Sequence, residues 1–340
     1  MQNKTRLNAT DKLHVMFLSL LVISCLSLTL IFVLVPTTAL SQEAQTTDHC
    51  PTLSQRPLPL IKIAEGTYVR KGLHQIFNKQ NLAAIANIGF VIGEKSIAVI
   101  DTGGSFCDGH RLLTAIRKIS QKPISHVINT HTHPDHVFGN AAFQPEQPEY
   151  VGHHNLKRAL ANRGMLYLEN LKRIMGEDQL TGTKIVLPTL EVQTTTTIDL
   201  GNRKLILKAY DTAHTDHDLT VFDPDNKIIW TGDLLFVEHI PVIVGSILGW
   251  QKRMEELKKI PATMVVPGHG GPFLLWPKAL ENQQHYLEQM TKDLREIIKE
   301  GGTMLEAQQQ AGKSEKSAWQ LFEEFNARNA AAGFAELEWE

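Results

Sequence analysis

Cysteine is scarce in this sequence: only Cys25, Cys50 and Cys107 occur in 340 residues. That excludes a small fold built on a disulfide framework. A basic excess is also missing. Lys and Arg total 34 against 36 Asp and Glu, a formal net charge of −2, so nothing is available to neutralise a phosphate backbone and no nucleic-acid partner is expected. No internal repeat of the solenoid kind is present. What remains is an ordinary globular composition, 42% hydrophobic and 21% charged, in a chain long enough for a large core. The unusual quantity is fifteen histidines, several of them in short clusters with acidic residues.

The first forty residues differ in kind from the rest. Lys4, Arg6 and Lys12 precede an apolar run from Val15 to Val35, followed by the small-residue stretch Thr37-Thr38-Ala39-Leu40-Ser41. This pattern reads as an export signal with cleavage after Ala39 or Ser41. The run is also long enough to cross a bilayer as an uncleaved anchor. Val22-Ile23-Ser24-Cys25 resembles a lipoprotein processing box. All three readings place the folded part outside the cytoplasmic membrane, either free in the periplasm or anchored facing it. Cys50 and Cys107 would then form one disulfide in an oxidising compartment or stand as two unrelated thiols.

Residues 42–60 are polar and then proline-rich (Pro51, Pro57, Pro59), which predicts an extended linker. From Ile61, β-rich runs alternate with turn signals. Ile85–Ile92 and Ile97–Ile100 read as strands joined at Gly93-Glu94-Lys95. A helix follows with apolar Leu112, Leu113, Ile116 and Ile119 on one face, and His126–Asn129 is the next strand. Strand, helix, strand argues for a layered α/β unit. A helical stretch over His154–Met175, broken near Arg163-Gly164, separates this half from a second β-rich half. That half comprises Thr194–Leu200, Leu205–Tyr210, Leu219–Phe222, Ile228–Trp230 and Thr263–Val266, with a helix near Gln251–Lys259. A long helix from Pro277 to Glu300 and one or two more up to Glu340 close the chain. The expectation is two sheets with helices outside them, a domain over 61–275 and a C-terminal helical extension over 276–340.

His131-Thr132-His133-Pro134-Asp135-His136 puts four metal-ligating side chains directly after a predicted strand, on the kind of loop where sites are built. Imidazole and carboxylate suit zinc, but two histidines do not fill a tetrahedral site. The missing ligands are offered at other strand ends: His214, Asp233 and His269, each beside a small residue that permits a tight turn. His217, three residues past His214, is the weaker competitor because it does not follow its strand directly. His153 and His154 read as helix-start residues. Phe236, Glu238 and His239 read as packing.

These residues, with Val99-Ile100-Asp101-Thr102-Gly103, Ala213-His214, Thr231-Gly232-Asp233 and Pro267-Gly268-His269-Gly270, resemble the metallo-β-lactamase superfamily over about 61–275. The resemblance implies an αβ/βα four-layer sandwich and a dinuclear site. His131, His133 and His214 would hold one ion, Asp135, His136 and His269 the other, and Asp233 would bridge them. Asp101 would position the site without ligating. A narrower resemblance, in Ala86–Phe90, Asp101–Ser105, Val137–Asn140 and Thr231–Ile240, is to the exported quinoprotein relay system zinc metallohydrolases. It implies a periplasmic quinoprotein or sulfur-oxidation partner. Superfamily members that bind β-lactams usually carry Cys or Ser where Asp233 stands, so this chain is closer to the glyoxalase II-like and lactonase-like members.

The chemistry that follows is hydrolysis of a small ester, thioester or lactone-like substrate. Water between two divalent ions has its pKa lowered to about 7, giving hydroxide at neutral pH. Asp135 and Asp233 are the catalytic candidates, and zinc, two per chain, is the expected metal; iron or manganese would accept the same donors. Two other readings compete: a mononuclear-iron persulfide-oxidising enzyme, and a non-catalytic metal-binding accessory. Di-iron electron-transfer relatives, which carry Glu where His133 stands, do not fit.

Overall fold

The computed structural model describes Cys50 and residues 58–340. The export segment and most of the 42–60 linker lie outside the described residues. Two sheets face each other. The first has seven strands in chain order: β1 (Ile61–Ala64), β2 (Thr67–Arg70), β3 (Ile88–Ile92), β4 (Ile97–Ile100), β5 (Ile124–Ile128), β6 (Glu149–His153) and β7 (Leu190–Val192). β1 to β4 pair antiparallel and β4 to β7 parallel. The parallel pairs require crossovers. These are α1 (Phe106–Ile119), the single turn α2 (Pro134–Val137) with a 3₁₀ segment after it, and α3 (Leu156–Met175).

The second sheet contains β8 (Thr195–Asp199), β9 (Lys204–Ala209), β10 (Leu219–Asp223), β11 (Ile228–Phe236), β12 (Met264–His269) and β13 (Leu274–Leu275), also in consecutive order. Only β11 and β12 run parallel, with α4 (Ile247–Leu257) as their crossover. The C-terminal helices are α5 (Glu281–Lys299), α6 (Met304–Gln310) and α7 (Phe322–Leu337).

Three apolar layers hold this together. Val69, Val91, Ile100, Ile128 and Val151 meet Leu205, Leu207, Val221 and Trp230 between the sheets. Leu112 and Ile116 of α1 cover Ile88, Phe90, Val99 and Val127 on one outer face. Trp250 and Met254 of α4, Tyr286 and Leu287 of α5 and Phe334 of α7 join Ile229, Leu235 and Phe236 on the other. The result is the helix–sheet–sheet–helix sandwich expected from the sequence. No helix among the described residues is long and apolar enough to cross a membrane.

Several details depart from the sequence reading. α3 is unbroken, because Gly164 serves packing: a Cβ there would lie 2.7 Å from Ile185 Cδ1. Ile119, expected on the buried face of α1, is 42% exposed in its last turn. The long C-terminal helix begins at Glu281 after a 3₁₀ turn over Lys278–Leu280. β11 runs six residues further than Ile228–Trp230, and its irregular course leaves main-chain groups for others to satisfy. Buried Gln283 of α5 does so, accepting from Phe236 N at 2.7 Å and donating to Leu234 O at 2.9 Å. Cys50 and Cys107 form a disulfide, the first of the two readings left open by the sequence.

Candidate metal centre

The cluster is assembled from the ends of both sheets. β5 stops at Ile128, and the chain turns through Asn129–His133 into α2, where Pro134 occupies the first helical turn. Pro is suited to that position, since its missing N–H would be unpaired anyway. Asp101, at the end of β4, adopts a φ of 53° and points its carboxylate back at this turn. It accepts from Thr130 N at 2.9 Å and from Thr130 Oγ1 at 2.8 Å.

Asp233 lies inside β11, not beyond a strand end as the sequence suggested. Register breaks against β12 lie on both sides of Gly232, Asp233 falls within the second of them, and Gly232 takes a φ of +50°. Such irregularities re-aim a side chain out of the sheet alternation. Gly268 on β12 completes the arrangement: a Cβ there would sit 2.0 Å from Asp233 Oδ1. His214 is carried by the β9–β10 loop. Buried Asp218 pins that loop, accepting from Thr215 N at 2.8 Å and Thr215 Oγ1 at 2.6 Å. Burial raises the Asp218 carboxyl to about 8 although both Thr215 donors oppose the shift. His269 ends β12.

These elements bring seven side chains together in two groups. His131, His133, His214 and Asp233 form one and Asp135, His136 and His269 the other, with ligand atoms in each group within 4.8 Å of one another. In the first group, His133 Nδ1 lies 3.0 Å from His131 Nε2 and 3.1 Å from His214 Nε2. Asp233 faces both groups. Its Oδ2 is 3.5 Å from His131 Nε2 and 3.4 Å from His214 Nε2, while its Oδ1 is 3.1 Å from His136 Nε2 and 3.3 Å from His269 Nε2.

The opposite ring nitrogens are held from behind. His136 Nδ1 donates to Asp101 Oδ2 at 2.7 Å, His214 Nδ1 to Val242 O at 2.8 Å, and His269 Nδ1 to Ile85 O at 3.1 Å. Each bond fixes the tautomer that leaves Nε2 free to ligate. Phe236 stacks on His269 at 4.9 Å between ring centroids, and His239 packs 5.1 Å from the same ring. His239 in turn packs on Phe325 of α7, and Gln320, just before α7, pairs with Glu238 and Ile240 through its main chain. The C-terminal helices therefore form the backing of this wall.

The electrostatics divide the imidazoles. Burial, with neighbouring positive charge, pushes His131 and His214 down to about 3 and His133 well below its usual value. For His269 burial acts in the same direction, but Asp233 and Asp135 outweigh it and lift the ring to about 9. His136 is raised likewise by Asp233, Asp101 and Asp135. Burial would raise the Asp135 and Asp233 carboxyls, yet His136 and His269 hold both below the usual carboxylate range. Buried carboxylates in this box demand compensating positive charge, as bound protons or as metal ions. Two buried atoms aimed at the centre, His136 Nε2 and Asp233 Oδ1, make no hydrogen bond among the described residues. A cation between them would satisfy both, so the donor set fits a pair of divalent ions.

All seven residues read from the sequence as ligands are thus in the cluster, and Asp101 is behind it. His217 is outside; its Nε2 meets Thr132 Oγ1 at 2.8 Å. His153 is buried with Nε2 on Tyr210 O at 3.0 Å. The sequence reading overlooked one face of α3: Tyr167 stands 6.2 Å from His133, ring to ring. Ala159, Arg163 and Tyr167 recur every four residues, a spacing that was available as a signal.

Comparison with known proteins agrees with this geometry. The family model described as metallo-beta-lactamase superfamily matches residues 83–269. Among curated proteins, a linear primary-alkylsulfatase of Pseudomonas sp. is 42% identical over 53 residues, 16% of this chain; the match spans only a tenth of that protein's length. A metallo-beta-lactamase from Pontibacter korlensis superposes with a TM-score of 0.56 at 20% identity, covering 68% of this chain and 99% of that one. The sec-alkylsulfatase Pisa1 from Pseudomonas sp. gives 0.65 at 15% identity, covering 82% and 50% respectively. These structures share the fold. With the family model spanning more than half of its length, the chain belongs to the metallo-beta-lactamase superfamily.

Proposed function

We propose that this metal-dependent hydrolase of the metallo-beta-lactamase superfamily binds two zinc ions and cleaves a small ester, thioester or lactone-like substrate outside the cytoplasmic membrane. The observation that carries the reading is Asp233, one oxygen directed at each ligand group. His131, His133 and His214 would hold one ion, and Asp135, His136 and His269 the other. Two divalent ions there would activate a water and polarise the substrate carbonyl. Asp135 would also orient the attacking water, and Asp101 would keep the His136 ring in ligating tautomer through its 2.7 Å contact. The Cys50–Cys107 disulfide supports an oxidising compartment and hence the export reading.

Purified protein is expected to carry two zinc ions per chain by mass spectrometry and to turn over members of a thioester and lactone panel. Protein of full stability with no metal would sink the proposal. Iron with oxygen consumption would favour the persulfide reading, and bound metal with no turnover the accessory reading. The local likeness to a linear primary-alkylsulfatase favours a second substrate class, sulfate esters. Release of inorganic sulfate from an alkyl sulfate, with no turnover of carbonyl esters, would select it.

Metal uptake should also move protons. In the metal-free protein the His269 ring, raised to about 9 from 6.5, is protonated at neutral pH. Its contribution to metal-free stability is complete below about pH 6.5 and is lost as pH rises through 9. His136 shifts in the same direction, whereas His131 and His214 are already neutral. Zinc loading in weak buffer at pH 7.5 is therefore expected to release protons. Loading without acidification would contradict this account of the site.

A further inference from the structure

Beside the metal centre is a cavity of about 290 Å³ whose lining metal binding does not explain. His133 and Thr132 are part of its lining, so it borders the first group of candidate ligands. One wall is the face of α3 that carries Arg163, with Arg158 on the adjoining row. The opposite wall is the β9–β10 loop with Asp216 and His217.

The charges on this lining do not cancel. Asp216 is its only carboxylate, and it is already engaged twice. Its Oδ2 meets Arg158 Nη2 at 3.0 Å and its Oδ1 meets His217 Nδ1 at 2.6 Å. The other nitrogen of His217 is occupied by Thr132 Oγ1. Arg163, exposed on α3, has no such partner: its side chain makes no hydrogen bond or ion pair among the described residues. The cavity therefore presents one uncompensated guanidinium next to the metal ligands. Guanidinium recognises carboxylate and sulfate-like groups through paired N–H donors. A volume near 300 Å³ lies at the small end of ligand pockets and has room for such a group.

We propose that this cavity receives an anionic group of the substrate, with Arg163 as the residue that determines the preference. The substrate is then an ester or thioester whose acyl part bears a carboxylate or sulfate-like charge a few atoms from the scissile bond. This rests on the hydrolase reading above, which supplies the scissile bond.

The test uses the zinc-loaded full chain with two esters of the same leaving group, neutral 4-nitrophenyl acetate and anionic 4-nitrophenyl hydrogen succinate. The ratio of kcat/KM, succinate ester over acetate, is expected to fall about tenfold or more in Arg163→Gln, mainly through KM. Arg173→Gln, on the same helix but not on the cavity lining, is the control for the general field of the helix. A ratio unmoved by R163Q, or moved equally by R173Q, overturns the proposal. Calorimetric titration with succinate supplies a readout without turnover: binding should weaken by a similar factor in R163Q. Arg163-dependent binding without cleavage of either ester would leave the cavity assignment standing and count against the hydrolase reading. Cleavage of both esters with binding indifferent to Arg163 would do the reverse.

Discussion

Asp233→Asn is expected to reduce hydrolysis by about a thousandfold and to lower the metal content below two ions per chain. The magnitude is of the order seen when one preorganised electrostatic group is taken from an active site. The argument is geometric. Both carboxylate oxygens are committed, Oδ2 towards His131 and His214 and Oδ1 towards His136 and His269. An amide keeps one acceptor and turns the other into a donor, aimed at a pair of ligand nitrogens. It also removes a negative charge that a site for two dications would need. The fold should survive, because asparagine has nearly the shape of aspartate and Gly268 still leaves its space. Metal analysis, kcat/KM and circular dichroism on one sample separate the outcomes. A variant that retains two ions and wild-type turnover would show that Asp233 is not shared between them.

Loss of the disulfide has the second large effect. Cys50 and Cys107 are 57 residues apart in sequence, and closing a loop of that length restricts the unfolded chain by about 4 kcal/mol in the chain-entropy model. Both cysteines are buried and pack with Leu82 and Phe106, so Cys107→Ser also places a hydroxyl among apolar neighbours. Urea unfolding of the zinc-loaded protein should show Cys107→Ser less stable by about that amount. Reduction of the wild type should reproduce most of the loss. An unchanged midpoint in both would show that the bond contributes nothing to stability. The site should respond as well, since residues 81–87 connect this corner to the Ile85 carbonyl that holds His269.

How much of this could be read from the sequence depended on how local the determinant was. The clustered residues were legible because a strand end followed by His, Asp and a small residue is a pattern of a few neighbouring positions. The two sheets were legible from β-rich runs and turn residues on either side of a helical stretch, but not the order of strands within them. Asp233 was singled out but its setting was not, since a strand that continues through a bulge has no compositional mark at Trp230. Gly164 read as a helix break because a glycine required by Ile185 is indistinguishable, in sequence, from one that ends a helix. The cysteine pairing stayed open because it depends on where α1 meets a residue far away in the chain. The contacts of Gln320 and Phe325 behind His239 and His269 are non-local in the same way.

The way the histidines are held has a consequence for tolerance to mutation. His214 and His269 are oriented by main-chain carbonyls, those of Val242 and Ile85. Every amino acid supplies a carbonyl, so replacing Val242 or Ile85 by a residue of similar shape leaves the anchor in place. His136 is oriented by a side chain, Asp101, which a single codon change can abolish. Genetic drift can therefore rewrite the surroundings of two of these histidines while the third depends on the identity of one carboxylate.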